Sequence, residues 1–178
     1  IDVFNENFKD ISESNSEDSL STKKIDINGF SINFLHLPNE NNKNIILIHG
    51  FGGDLNNWMF NQEDLSQDFN VYSLDLPGHG LSTKDFNEID ISILSKTITE
   101  FCKENNIEKV NLIGHSFGGG ISIKCAIEEP NLVESLTLIS PIGLGKEIES
   151  SYLEGFISSD NRRELKTELE KLYFQPDI

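Results

Sequence analysis

Between Val110 and Glu129 the sequence passes from a short apolar run, Val110, Leu112 and Ile113, to a segment with helix-like apolar content, Ile121, Ile123, Ala126 and Ile127. The change happens across Gly114-His115-Ser116-Phe117-Gly118. A Gly-x-Ser-x-Gly sequence at such a point predicts an abrupt strand-to-helix turn that holds the serine in a strained, exposed position. Gly114 and Gly118 are expected there because side chains at those positions would collide with the neighbouring strand and helix. The helix that follows would aim its free N–H groups and positive dipole end at Ser116, which favours an oxyanion. A bare match occurs by chance in roughly one chain in twenty of this length. Its position between a buried strand and an apolar helix is what gives the motif weight.

The flanking sequence has the order such a turn requires. Ile25 and Ile27 alternate with polar residues, Asn28-Gly29 is a tight-turn signal, and Phe30, Ile32 and Phe34 continue the alternation, which predicts an N-terminal hairpin. Ile45 to Ile48 is an unbroken apolar run of the kind buried on both faces of a parallel sheet. A helix is expected from roughly Leu55 to Ser66 and a second buried strand from Val71 to Leu76. An amphipathic helix is expected from about Ile89 to Glu104, with Ile91, Leu94, Ile98, Phe101 and Cys102 on one face. Pro130-Asn131 ends the helix after Ser116, and Leu136 to Ile139 reads as a fourth buried strand. Strand and helix alternate throughout, so the fold class is α/β with a mostly parallel sheet and right-handed crossovers. Residues 23–145 are expected to form the core, and 146–178 the start of a helical cap. Residues 1–22 carry six acids, one lysine and a Ser/Asn-rich stretch, the composition of a linker.

The loops supply the remaining candidates for chemistry. The backbone N–H of Phe117 is the first expected oxyanion donor. His49-Gly50-Phe51-Gly52-Gly53 follows the first buried run, where a second donor belongs, and the N–H of Phe51 is assigned that role. His49, Gly50, Gly52 and His115 are read as supporting residues. The same loop has a rival reading as a dinucleotide-phosphate turn, but the third glycine position holds Leu55. Asp75-Leu76-Pro77-Gly78-His79-Gly80 is read as a rigid loop, with His79 at the surface or supporting the site. Trp58 is expected in the core or a pocket wall. Arg162 and Arg163 are read as a solvated helix face, with an anionic contact as the alternative.

Chain order sets a limit on this machinery. An acid and then a histidine follow the serine in folds of this kind, whereas His36, His49, His79 and His115 all precede Ser116. The acid and base of a triad are therefore not in the chain, which is expected to be a fragment inactive by itself. The formal net charge of -16 argues against nucleic acid and anionic membranes as partners. No apolar run is long enough to span a bilayer and no secretory signal is visible, so a cytoplasmic location is expected. Cys102 and Cys125 sit among apolar residues without metal-ligand spacing, which predicts buried free thiols and no metal site.

Three stretches carry a closer resemblance. Ile46 to Trp58, Leu74 to Gly80 and Gly114 to Gly119 resemble the C-terminal α/β-hydrolase domain of the dihydrolipoyl acetyltransferase component of acetoin dehydrogenase complexes. Ser151 to Phe156, with Arg162 to Lys166, is similar to the same group and more distinctive than the hydrolase motifs. The resemblance covers residues 23–178, and Ile1 to Phe8 looks like a segment joining an upstream lipoyl domain. It implies the α/β-hydrolase fold and a part in acetyl transfer between a dihydrolipoyl group and coenzyme A. It also implies that these two are substrates of a domain needing no cofactor, and that the partners are an acyl carrier or other subunits of a dehydrogenase complex. The residues alone leave two further readings open: a generic carboxylic-ester hydrolase, and a non-catalytic scaffold or binding domain.

Overall fold

A computed structural model of the chain describes residues 21–171 except 42, 87 and 146–149, and the backbone alone at 150–153. Most of the expected linker, including Ile1 to Phe8, the side chains of Tyr152 and Leu153, and the last seven residues of the expected cap lie outside the described residues. The chain forms two compact units, one ending at Pro141 and the other beginning at Ile142.

The first unit is built on a six-stranded sheet. Strands β1 (Lys23–Ile27) and β2 (Phe30–Leu37) form the expected hairpin, closed by Asn28 and Gly29 with φ of 52° and 86°. Both central residues have positive φ, as a two-residue turn that follows the strand twist requires. Strand β3 (Asn44–Ile48) and β4 (Asn70–Leu74) are parallel to each other, and β2 pairs antiparallel to β4. Strand β5 (Val110–His115) lies parallel to β3 on its other side, and β6 (Val133–Ile139) lies parallel to β5. The sheet order is therefore β1-β2-β4-β3-β5-β6. Leaving β3, the chain first builds outward to β4 and then crosses back to β5, so the order reverses at β3. In open parallel sheets such a reversal separates the loops at the strand carboxyl ends and leaves a crevice there.

Alternation along each strand feeds two cores. Ile46 and Ile48 join Leu74, Leu112 and Ile121 on one face, while Ile45 and Leu47 join Leu37, Trp58 and Val71 on the other. The first face is covered by α2 (Ile91–Glu104) and α3 (Phe117–Glu128); Leu94, Ile98, Phe101 and Cys102 of α2 are buried, as their spacing predicts. Asp90 begins α2, its carboxylate accepting from the Ile93 N–H at 2.8 Å, which places the start two residues after Ile89. Both cysteines are buried free thiols, with burial pushing Cys102 up to about 12 and Cys125 up to about 11. Trp58 belongs to the second core.

Two expectations need correction. The single helix over Leu55 to Ser66 is two pieces, a 3-10 turn Leu55–Trp58 and α1 (Gln62–Ser66). The Asp54 carboxylate accepts from Asn56 N and the Asn57 side chain accepts from Asp54 N, a reciprocal cap that tightens the first turn. The Leu55 N–H is held by Asp75, so the direction of this turn is set from outside it. The expected fourth buried strand is instead half exposed along β6. Among the described residues β6 pairs only with β5, so its second edge lacks the neighbour that would bury it.

The second unit contains α4 (Ser150–Ser158) and α5 (Arg162–Glu170), joined by a short loop. Asn161 caps α5 by accepting from Arg163 N and Glu164 N, both at 3.1 Å. The helices meet where Gly155 leaves room for the Glu168 carboxylate.

Candidate active site

Strands β3 and β5 end side by side where the sheet order reverses, and the loops leaving them carry the candidate residues. Ser116 is the hinge between β5 and α3, with φ 50° and ψ −111°. This is a strained backbone for a residue with a side chain, and such strain persists only where surrounding bonds impose it. Those bonds are present. The Ser116 N–H donates to Ile139 O at 2.9 Å, and its carbonyl accepts from Gly119 N at 3.0 Å and Gly120 N at 3.3 Å. Its side chain makes no capping bond to the helix and is half-buried rather than interior.

The two motif glycines fit the space as expected. A Cβ at Gly114 would meet Gly118 O at 2.5 Å and Ser122 Oγ at 2.6 Å. A Cβ at Gly118 would collide with the carbonyl oxygens of Ile48 and His49, so the first turn of α3 lies directly on the end of β3. Phe117, as the first helical residue, has no carbonyl within the helix for its N–H. That N–H belongs to the positive end of α3.

The loop after β3 comes up against this turn. A Cβ at Gly50 would lie 2.9 Å from His115 Nδ1 and 3.3 Å from Ser116 Cβ, so glycine lets the loop touch the elbow. Gly53 N bonds back to Gly50 O at 3.1 Å, and Gly52 has φ 72°, which folds the segment around Phe51. Phe51 is partly exposed, and its ring meets that of His79 edge-on at 6.1 Å. His115 is exposed beside Gly50.

A second loop, Asp75 to Ser82, fixes the first. His49 is fully buried; Nδ1 donates to Gly50 O at 2.8 Å and Nε2 accepts from Leu76 N at 3.1 Å. Burial pushes its pKa down to about 4, so the ring is neutral at pH 7 and able to accept that bond. His79 mirrors it from the other loop, with Nδ1 3.2 Å from Pro77 O and Nε2 accepting from Gly52 N at 3.2 Å. The two rings lie 5.0 Å apart. Asp75, buried at the end of β4, accepts from Leu55 N through Oδ1 and from Asn33 Nδ2 and Leu81 N through Oδ2, each at 2.8 Å. Gly80, with φ 50°, leaves room for that carboxylate.

A rigid loop over Asp75 to Gly80 implies no structural work for Asp75 and leaves His79 between surface and support. The signal for Asp75 was present, since an acid closing a buried apolar strand must find donors. The bond from His79 to Gly52 spans 27 positions and has no local signature. No group of His, Cys, Asp and Glu able to hold a metal ion occurs among the described residues. An open groove of about 470 Å³ bordered by Thr99, Ile107 and Leu132 lies at the amino ends of β5 and β6, away from Ser116. Among the described residues, no helix is long and apolar enough to cross a membrane.

Two curated relatives bear the name dihydrolipoyllysine-residue acetyltransferase component of acetoin cleaving system. The one from Pseudomonas putida is 40% identical over 156 residues, covering 88% of this chain and 42% of the relative. That from Cupriavidus necator is 42% identical over 129 residues, 72% of this chain and 34% of the relative. The chain thus spans less than half the length of either. Among solved structures, a serine hydrolase from Cycloclasticus zankles shares the fold with a TM-score of 0.79 at 21% identity, covering 88% of this chain and 58% of that one. The alpha/beta hydrolase fold family matches residues 43–176, and with a serine at the strand-to-helix hinge of a mostly parallel sheet, the chain belongs to that family.

Proposed function

We propose that Ser116 is the nucleophile of an acyl-transfer domain, and that the domain moves acetyl groups between a dihydrolipoyl group and coenzyme A. The observation that carries this reading is the strained backbone of Ser116 at the β5 to α3 junction, with the Gly50 loop in contact with it. The names of the Pseudomonas putida and Cupriavidus necator relatives support the choice of acyl donor and acceptor. In the proposed reaction Ser116 Oγ attacks the thioester carbonyl of an acetyl-dihydrolipoyl group, and the oxyanion is received by the backbone N–H groups of Phe51 and Phe117. The C–S bond breaks and the proton from Ser116 passes to the leaving sulfur; the coenzyme A thiol then attacks the acetyl-serine ester, the C–O bond breaks, and the thiol proton returns to Ser116 Oγ. A histidine that carries the proton and a partner acid follow the serine in folds of this kind, whereas His36, His49, His79 and His115 precede Ser116 and two of them are engaged by backbone groups, so none of the four is assigned that role.

The test uses the full-length protein that contains this sequence. A fluorophosphonate is expected to label Ser116, and Ser116→Ala to lower acetyl transfer by about a thousandfold or more. Failure to label, or full activity in the alanine variant, defeats the assignment. Transfer to coenzyme A measured beside hydrolysis of a small acetyl ester separates a transferase from an ester hydrolase: faster hydrolysis, unaffected by coenzyme A, removes the transferase reading and leaves the nucleophile.

A further inference from the structure

We propose that His79 is a positioning residue for the oxyanion site, holding the Phe51-Gly52 peptide by accepting the Gly52 N–H on Nε2. The inference rests on the assignment of Ser116 and Phe51 made above. His79 combines a bond to the next peptide with ring contact to Phe51 itself. Its other nitrogen faces Pro77 O at 3.2 Å, and that carbonyl can only accept, so Nδ1 carries the proton and Nε2 is left as acceptor for Gly52 N. His49 makes the reciprocal link: from the Gly50 loop its Nε2 accepts the Leu76 N–H of the Asp75 loop. Each loop therefore lends an imidazole to an amide of the other, and the rings lie 5.0 Å apart at the crossing. The two links are not equivalent. His49 is fully buried and belongs to the packed interior, whereas His79 is half-buried at the open side, next to Phe51.

Gly52 has φ 72°, and glycine at such a position has access to several backbone basins. An external acceptor on its N–H fixes the plane of the Phe51–Gly52 peptide; with the Gly50–Phe51 peptide held at Gly50 O by His49 Nδ1 and Gly53 N, this closes the rotation about the Phe51 backbone on which the direction of the Phe51 N–H depends. An amide turned away from the oxyanion weakens binding of the transition state more than that of the substrate, so the loss falls on kcat rather than KM.

The experiment compares His79→Phe, which keeps an aromatic ring without an acceptor, with His79→Gln, whose side-chain oxygen can accept the Gly52 N–H, in the full-length protein. Removing an oxyanion donor costs about a hundredfold or more, so misdirecting one is expected to lower kcat by roughly tenfold to a hundredfold in His79→Phe with KM within about twofold. His79→Gln is expected to recover most of that loss. Amide hydrogen exchange at Gly52 reads the link independently of activity, and is expected to speed up about tenfold or more in His79→Phe but not in His79→Gln. Equal losses in both variants, or unchanged Gly52 exchange in His79→Phe, overturn the positioning role while leaving Ser116 untouched. Activity that survives Ser116→Ala together with a changed Gly52 exchange in His79→Phe defeats the catalytic reading and shows the loop link to stand on its own.

Discussion

At Gly118 a single hydrogen atom separates the elbow from the end of β3. A methyl group there would strike the carbonyl oxygens of Ile48 and His49, and neither can yield, because both are backbone. Gly118→Ala must therefore lift the first turn of α3 away from β3, a form of overpacking that costs about 1–3 kcal/mol. The same movement carries the Phe117 N–H away from the Gly50 loop. We expect urea unfolding of Gly118→Ala to show that loss, and fluorophosphonate labelling of Ser116 to slow by about tenfold or more. Gly145→Ala is the control: nothing lies within 4 Å of a Cβ there, and its stability is expected to stay within about 0.5 kcal/mol. Asp75 illustrates the opposite case of a side chain that is indispensable through what it accepts. Its two oxygens take three N–H groups from three separate segments, so a buried carboxylate is satisfied and the 3-10 turn, β2 and the Gly80 loop are joined at one point.

Among the elements, α2 shows how a cap decides a boundary that apolar spacing leaves open. Apolar residues run from Ile89 onward, but Asp90 adopts an extended backbone with its carboxylate on Ile93 N, and the helix starts after it. Asp90→Ala is expected to destabilise the protein by about 1 kcal/mol in urea unfolding and to speed hydrogen exchange in the first turn of α2. Asp90→Asn keeps an acceptor and is expected to lose only a few tenths; an equal loss in both would assign the effect to charge instead of capping. The hairpin, the parallel strands and the elbow were legible in the sequence because each is decided by contacts close in the chain: alternation, Asn28-Gly29, and glycines two positions either side of a serine. The interruption between Trp58 and Gln62 was not, since the turn before it is tied to Asp75 some twenty residues on. Nor was the exposure of β6, because Leu136 and Leu138 are apolar enough for an interior strand and their burial depends on what pairs with the outer edge. The same limit applied to the site: Ser116 and its glycines could be read locally, while the exchange of imidazoles between His49 and His79 exists only once the two loops are folded together.

Over the whole molecule, the acid side of the pH scale sets two effects against each other. With 30 acidic and 14 basic side chains, the chain loses negative charge as carboxylates protonate, which relieves self-repulsion in the compact state. His49 acts in the other direction. Its pKa falls from 6.5 unfolded to about 4 folded, chiefly because burial penalises the imidazolium. Between these values the unfolded chain binds a proton that the folded one refuses, so stability is complete above pH 6.5 and declines as the pH falls towards 4. A difference of this size corresponds to roughly 3 kcal/mol. His36 shares the direction, through burial first and Lys23 second. Comparison with His49→Gln isolates the effect, because Gln can donate to Gly50 O and accept from Leu76 N while remaining neutral, and the carboxylates and His36 are common to both proteins. Urea unfolding at pH 7, 5.5 and 4 is expected to show the wild type losing roughly 3 kcal/mol relative to the variant. Parallel pH dependence in the two proteins would mean that His49 accepts its proton without unfolding the loops it joins.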